Sequence, residues 1–547
     1  MPRPPSRRWS TLCAATSTKR AMGTSHQGTG ASDGLFLGPL RWLGRTALKR
    51  QPTGSAESEA AALAEAIALS VGELAALMAR VDGEAQDILG FQVAILEDDA
   101  LSAPALAAIA AGTPAHEAWG AALAGEIAGY EASDDDYFRA RAADLRDIRD
   151  RVLRNLAGYT TTQHRTGAVL AGEDIAPTVF LETDWSAGGA VALTRGSTTS
   201  HVAMLARARG IPMVVGLGAL PAHCTTLAVD GGSGHVLADP DDAQRRDFAA
   251  AAAAEAQTRA REEHFRLRPA QRRSGARIDI LINVAGVDEL DHIDHAACDG
   301  IGLMRSEFLF RDGAPLPDEE TQYRAYRRFV EWAQGRPVTI RTLDIGGDKP
   351  VRGLTPDGEA NPFLGLRGVR LTLAREDVFR TQLRALARAA VHGNLKIMLP
   401  MVTVPDELAR GATLLDACVT ELEAQGVACH RPPLGIMVEV PAVAVVPELF
   451  SEAAFFSIGS NDLTQYVTAS SRDDARVAAL NDPAHPAVTA LIARVARFGR
   501  EAGIPVSLCG DMASEPKHLA TLLEAGLTSL SVAPARIARL KAAIAEL

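Results

Sequence analysis

A chain of 547 residues, 47% apolar and 22% charged, is too long for one ordinary core and too apolar to be disordered, so two to four globular domains are expected. A formal net charge of -11 argues against nucleic-acid binding through a broad basic face, and no uninterrupted apolar run is long enough to cross a bilayer. Six scattered cysteines (Cys13, Cys224, Cys298, Cys418, Cys429 and Cys509) form no C-x-x-C pair, which disfavours a zinc framework or disulfide scaffold and fits a reducing, cytoplasmic setting.

Residues 1–27, rich in Arg, Ser, Thr and Pro and lacking an apolar secretory segment, are expected to form a disordered tail. From about Ser55 to Leu156 the chain is rich in Ala, Leu, Glu and Arg. Leu63, Ile67, Val71, Leu74 and Leu77 recur at three- and four-residue spacing, the stripe of a helix with one buried face. Pro114, Gly120 and the acidic run 134–136 divide this region into several helices, a bundle placed at 44–160. Residues 161–240 alternate β-rich runs (Gly167–Ala171, Gly189–Leu193, Ile211–Val215, Thr225–Val229) with turns and one helix, Ser200–Arg209, and read as a compact α/β domain. Residues 241–275 read as one long charged connecting helix.

The remainder, 276–547, alternates strands with segments long enough for helices. The strand candidates are Ile278–Asn283, Gly300–Met304, Val338–Leu343, Lys396–Pro400, Leu434–Val438, Ala454–Ile458, Pro505–Leu508 and Ser529–Val532. Eight such alternations are the pattern of a (β/α)8 barrel. Polar residues fall at one consistent place in it. Arg305 and Glu307 end the second strand and Arg341 and Asp344 the third. Glu439 ends the fifth, Asn461 and Asp462 follow the sixth, and Cys509 follows the seventh. The C-terminal rim is where barrels of this kind build active sites. Arginines supply planar forks for phosphate or carboxylate oxygens, and Glu439 and Asp462 suit a hard cation such as Mg2+. A small substrate bearing both phosphate and carboxylate fits this set.

Gly196-Ser197-Thr198-Thr199-Ser200-His201 leads small hydroxyl residues into the helix, so that Ser200 or Thr199 caps its N-terminus. A phosphate carried by His201 would sit beside free backbone N–H groups at the positive end of the helix dipole, and imidazole is a competent nucleophile for a covalent intermediate.

Seven stretches, in order, carry a resemblance: GSTTSHVAMLAR (Gly196–Arg207), GIGLMRSEFLF (Gly300–Phe310), IRTLDIGGDKP (Ile340–Pro350), NPFLGLR (Asn361–Arg367), GIMVEVP (Gly435–Pro441), FSIGSNDLTQY (Phe456–Tyr466) and SLCGDMA (Ser507–Ala513). Over roughly residues 28–547 the chain resembles enzyme I of the phosphoenolpyruvate:sugar phosphotransferase system. The resemblance implies a multidomain α/β protein: a phosphohistidine swivel domain with an inserted helical bundle, then the barrel. It implies that 28–43 supplies the first strand of the phosphohistidine domain (Ala31–Leu40) and that the bundle docks the carrier protein HPr. His201 then matches the phosphorylated histidine. Arg305, Arg341, Arg472 and Asn461 match phosphoenolpyruvate contacts, Glu439 and Asp462 match Mg2+ ligands, and Cys509 matches the proton donor to the enolate as pyruvate leaves. Family members dimerise through the barrel.

The sequence departs from the family pattern at Asp33, Gln92, Arg149-Asp150, Ala176 and Ser471. Most of these positions lie in or near the carrier-docking half, so a carrier other than the standard HPr is one expectation. A pyruvate phosphate dikinase or phosphoenolpyruvate synthase needs a further ATP-binding domain, which the bundle before His201 does not provide. The nitrogen-regulatory branch of the family and a non-catalytic regulatory paralogue are the remaining alternatives; retention of His201, Cys509, Glu439 and Asp462 opposes the latter.

Overall fold

The computed structural model describes residues 23–43, 54–81, 84–131, 136–158, 167–198, 200–221, 223–310, 315–347, 351–356, 358–471 and 476–547. The chain divides into two units, Met1–Thr258 and Arg259–Leu547.

Among the described residues of the first unit, eight strands form one sheet: β1 (Thr24–Gln27), β2 (Thr29–Ser32), β3 (Leu35–Trp42), β4 (Val169–Gly172), β5 (Ala190–Leu193), β6 (Met213–Val215), β7 (Thr226–Asp230) and β8 (His235–Ala238), in the order β1-β8-β7-β3-β4-β5-β6-β2. The run β3 to β6 is parallel, while β7, β8, β1 and β2 pair antiparallel. Because β1 and β2 are separated by Gly28 alone yet lie at opposite ends of that order, the sheet curls until its ends meet. Closure brings backbones so near that a Cβ on Gly231 would lie 1.9 Å from the Ser32 carbonyl oxygen, so only glycine fits there. Strand β1 lies within the segment 1–27 read from composition as a tail. Its pairing with the edge of β8 orders it, and local composition carries no sign of a partner more than two hundred residues away.

Between β3 and β4 the described residues form five helices: Ala56–Met78, Glu84–Leu96, Asp99–Ala110, Ala115–Glu131 and Asp136–Leu156. The Ser55 side chain accepts from the Ser58 N–H and Asp98 from the Ala100 N–H, satisfying orphan donors at two helix starts. Of the expected stripe, Leu63, Leu74 and Leu77 are buried and Ile67 and Val71 half-buried. The helix Ala56–Met78 is by length and composition apolar enough to cross a membrane. That differs from the reading based on uninterrupted runs, since Glu65 and Glu73 interrupt it. Its apolar side chains pack in the bundle core with Leu89, Ile109, Trp119 and Leu123.

Asp136–Leu156 binds the bundle to the sheet domain. Arg151, 2% exposed, donates to Glu73 at 2.6 Å and to Glu182 at 2.5 Å. Asp147 accepts from the Thr178 N–H (3.1 Å), the Thr178 hydroxyl (2.7 Å) and Gln92 Nε2 (3.2 Å). Breaking one partner of such a buried pair costs about 3–5 kcal/mol. Ala176 is the N-cap of the short helix Pro177–Glu182 and gives it no side-chain cap. Ala176→Ser is therefore expected to stabilise the first unit by about 1 kcal/mol, read as a rise in its urea midpoint.

The connecting helix spans Asp242–Glu263 rather than 241–275. Pro269 disfavours helical geometry at Arg268, and Gln271 pairs with Arg277 in an isolated antiparallel bridge.

In the second unit, β9 (Asp279–Val284), β10 (Ile301–Arg305), β11 (Val338–Arg341), β12 (Leu395–Leu399), β13 (Leu434–Val438), β14 (Phe456–Ile458), β15 (Val506–Leu508) and β16 (Ser529–Val532) close into a parallel barrel. Each of the eight expected strands is present to within a few residues. The core lies between strands and surrounding helices, where Ile280, Ile340, Ile397, Ile436, Phe456 and Leu530 meet Phe329, Phe379, Leu415 and Ile492. Cys224, Cys298, Cys418, Cys429 and Cys509 are free thiols.

Candidate functional site

The barrel rim gathers alternating charges. β10 ends in exposed Arg305 and β11 in Arg341, which is 5% exposed. Glu307 Oε1 accepts from Arg341 Nη2 at 2.8 Å and from the Asp344 N–H at 3.0 Å. Arg341 Nη1 lies 2.9 Å from Asp344 Oδ2. Although burial alone would lower its pKa, Glu307 and Asp344 raise it, so the guanidinium is permanently charged. Asp344 also receives Arg367 Nη2 at 3.0 Å. Arg367 reaches Asp462 Oδ1 at 3.7 Å and donates to the Tyr466 hydroxyl at 3.3 Å. Tyr466 in turn donates to the Phe363 carbonyl at 2.6 Å. Arg367 and Tyr466 belong to the quoted motifs but were not among the expected site residues. Arg367 is placed by the loop that precedes the helix Val369–Ala374, and Tyr466 by the helix Ser460–Thr468.

Glu439 directly follows β13 and is fully buried. Its Oε1 accepts from the Met401 N–H at 2.7 Å, while Oε2 has no hydrogen-bond partner, as is true of Asp462 Oδ1. Burial foremost, then the charges of Asp462 and Asp344, push Glu439 up to about 8, with Arg341 opposing. Met401 adopts φ 57, a left-handed conformation costing a β-carbon residue about 1–2 kcal/mol. That strain sits where the Met401 N–H meets Glu439.

Buried Glu439 and half-buried Asp462, each with an oxygen that no hydrogen bond reaches, fit a hard divalent cation. Among the described residues no group of three or more His, Cys, Asp and Glu is arranged to hold a metal by itself. Mg2+ takes the remainder of its shell from water and substrate oxygens, so two protein ligands suffice. Once Glu439 gives up its proton on binding a cation, the rim carboxylates Glu307, Asp344, Glu439 and Asp462 outnumber Arg305, Arg341 and Arg367. An anionic ligand there requires further positive charge.

Asn461 and Asp462 lie in the first turn of the helix Ser460–Thr468. Asn461 Nδ2 donates to Asp511 Oδ2 at 3.0 Å and its Oδ1 accepts from the Asp511 N–H at 2.9 Å, fixing the amide orientation. Cys509 follows β15, 4% exposed and packed with Leu303, Met398, Met437 and Phe455. Burial foremost pushes its thiol up to about 11; Glu439 adds to the rise and the Ser457 hydroxyl opposes it. The thiol is therefore neutral at ordinary pH. Arg472 lies outside the described residues.

In the first unit, His201 opens the helix His201–Arg209. Ser200 caps it by accepting from the Ala203 N–H at 3.3 Å, and Arg207 Nη1 donates to the Ala31 and Thr198 carbonyls, both at 2.9 Å. His201 Nδ1 faces the carboxylate of Asp144, 3.4 Å from Oδ1 and 3.3 Å from Oδ2. No sequence signal singled out Asp144, one acidic residue in a heavily charged helix.

Family models match three segments: residues 27–141 as PEP-utilising enzyme, N-terminal; 164–234 as PEP-utilising enzyme, mobile domain; and 259–547 as PEP-utilising enzyme, PEP-binding domain. A phosphoenolpyruvate-protein phosphotransferase of Cupriavidus necator is 35% identical over 89% of this chain and 87% of its own length. Proteins of the same name from Haloferax volcanii and Geobacillus stearothermophilus are each 38% identical. The first alignment covers 74% of this chain and 72% of the relative, the second 77% and 74%. The chain belongs to the phosphoenolpyruvate-protein phosphotransferase family, a conclusion in which the closed barrel, its charged rim and the sequence relationship agree.

Proposed function

We propose that this protein takes the phosphoryl group of phosphoenolpyruvate onto His201, releases pyruvate, and passes the group to a histidine of an HPr-like carrier, the first step of sugar phosphotransferase uptake. The observation carrying this reading is buried Glu439 and half-buried Asp462, each with a carboxylate oxygen that no hydrogen bond reaches, set among arginines at the barrel mouth. Arg305, Arg341 and Arg472 bind the phosphate and carboxylate oxygens of the substrate, and Asn461 orients it. Glu439 and Asp462 would hold Mg2+, which when bound supplies the positive charge that the three described arginines lack.

The reaction needs positioning more than covalent help. A ring nitrogen of His201 donates its lone pair to phosphorus, and the bond to the enolate oxygen breaks with its electron pair. The enolate then takes the Cys509 proton at its terminal carbon, giving pyruvate and a thiolate that regains a proton from solvent. Because burial disfavours that thiolate, the proton donor is restored before the next turnover. The five-helix bundle docks the carrier, and the Asp242–Glu263 helix lets the phosphohistidine domain travel between substrate and carrier. The working form is a cytoplasmic homodimer assembled through the barrel.

The test is incubation with radiolabelled phosphoenolpyruvate and Mg2+, followed by a chase with candidate carriers. Acid-labile label that moves to an HPr-like protein is expected; no label on the protein removes the reading. Cys509→Ala is expected to slow pyruvate formation by about 100-fold while leaving phosphoenolpyruvate affinity within about twofold. Unchanged turnover in a stopped-flow pyruvate assay would take the thiol out of the mechanism.

A further inference from the structure

We infer that Asn283 is the positioning residue for Cys509: its side-chain amide holds the Cys509 backbone at the barrel mouth, so that the thiol delivers its proton to one face of the enolate. This rests on the reading of Cys509 as the proton donor and adds to it the residue that aims the donor and a stereochemical consequence.

Alternation along three strands brings the group together. Ile280, Ile282 and Val284 of β9, Leu508 of β15, and Leu530 and Val532 of β16 pack in the core between strands and helices. Asn283, Cys509 and Ser531 therefore face the barrel interior. The strands run in the order β15-β16-β9, so Asn283 reaches past β16 to the end of β15. Its Nδ2 donates to the Cys509 carbonyl at 3.0 Å and to the Ser531 carbonyl at 3.3 Å, and its Oδ1 accepts from the Ser531 hydroxyl at 2.6 Å. That hydroxyl fixes which way the amide points. Gly302 of β10 leaves room for it, since a Cβ there would lie 2.4 Å from Ser531 Oγ. With both amide hydrogens engaged by backbone carbonyls, Asn283 acts on Cys509 and not on the substrate.

Cys509 needs such a hold. Among the described residues the ladder between β15 and β16 is the single pair Leu508 with Leu530, and Cys509 lies beyond it. Its N–H is held from the β14 side by the Ile458 carbonyl at 3.0 Å. On the β16 side the Asn283 amide supplies the bond that the ladder does not. Held at both N–H and C=O, the residue keeps rotation about Cα–Cβ as its main freedom. The thiol, in a weak 3.6 Å contact with the Ile458 carbonyl oxygen, swings from a fixed point. In the step it serves, the S–H bond breaks with its electron pair left on sulfur, and the π pair of the enolate forms the new C–H bond at the terminal carbon. A donor at a fixed place meets one face of that planar carbon. Displacing such a group by about 1 Å is enough to slow a reaction on the order of 100-fold.

The experiment follows a single turnover of the full chain with Mg2+. In a rapid-quench series with radiolabelled phosphoenolpyruvate, label on the protein and free pyruvate are measured in the same samples. In a parallel run, phosphoenolpyruvate deuterated at one C3 position reacts in tritiated water, and the handedness of the pyruvate methyl group is read after trapping as lactate. The wild type is expected to give a methyl group of one hand. Asn283→Ala, and Asn283→Asp, which keeps the shape but not the amide hydrogens, should form pyruvate about tenfold or more slowly while acquiring label within about twofold of the wild-type rate. Their methyl groups should be of mixed hand. A wild-type methyl group of mixed hand overturns the inference, whether or not any variant folds. So do variants that keep the wild-type rate and hand, and so does labelling that falls in step with pyruvate, the mark of general damage to the barrel. Cys509→Ala separates the two readings. Wild-type rate and hand in that variant would remove the thiol as donor, whereas a slow Cys509→Ala beside unaffected Asn283 variants removes Asn283 alone.

Discussion

His201→Ala is expected to abolish acid-labile labelling from phosphoenolpyruvate while leaving the fold intact. The side chain is 13% exposed at the first position of its helix, where the cap comes from Ser200 rather than from the histidine. Alanine is the best helix former, so the substitution should move the unfolding free energy by no more than about 1 kcal/mol. Circular dichroism with urea titration checks the fold, and autoradiography before and after acid treatment checks the label. The barrel rim is made entirely by residues of the second unit, so phosphoenolpyruvate binding measured by calorimetry should be retained. Stable label on the variant would move the acceptor to another residue and end the proposed cycle.

Glu439→Gln is expected to lower Mg2+-dependent labelling by about 100-fold or more and yet to stabilise the metal-free protein at alkaline pH. The amide is nearly isosteric and still offers an oxygen to the Met401 N–H, so the local frame survives. What disappears is a buried charge. The Glu439 carboxyl is raised from 4.5 to about 8 in the folded chain, so between those values the folded form keeps a proton that the unfolded form has lost. Stability from this group therefore falls as pH rises through that window and is level above about 8. Unfolding in EDTA should show a wild-type loss of a few kcal/mol between pH 5 and 8.5 that is absent from the variant. The same carboxyl makes cation binding release close to one proton at pH 6.5 and almost none at pH 9.5. Calorimetry in buffers of different ionisation enthalpy reads that number. A pH-independent proton count, or full activity of the variant, would remove Glu439 as a cation ligand.

The barrel was readable because its signal is repetitive: eight short apolar runs, each followed by room for a helix, leave few other folds. In the first unit the parallel strands β4, β5 and β6, and the antiparallel β7, were readable for the same reason. Strands β1, β2 and β8 were not, since they are short edge or closing strands whose order depends on a distant partner. The connecting helix was overextended because an Arg-rich composition continues past Glu263, where the helix ends, into the segment that holds Pro269 and the Gln271–Arg277 bridge. At the site, Glu439 and Cys509 stood out by following strands directly. Arg367 and Asp144 did not, one reaching the rim from a folded loop and the other reaching His201 from a helix 57 residues upstream.

By itself, then, the sequence determined the order of domains, the barrel and the residue types at its rim, because periodicity and motif spacing are local properties. Only the tertiary structure decided which carboxylate oxygens are left without donors, that burial keeps Glu439 and Cys509 protonated to unusually high pH, and which nitrogen of His201 faces an acid. Those depend on desolvation and on distances between residues far apart in the chain, and neither quantity is written in any one stretch of it.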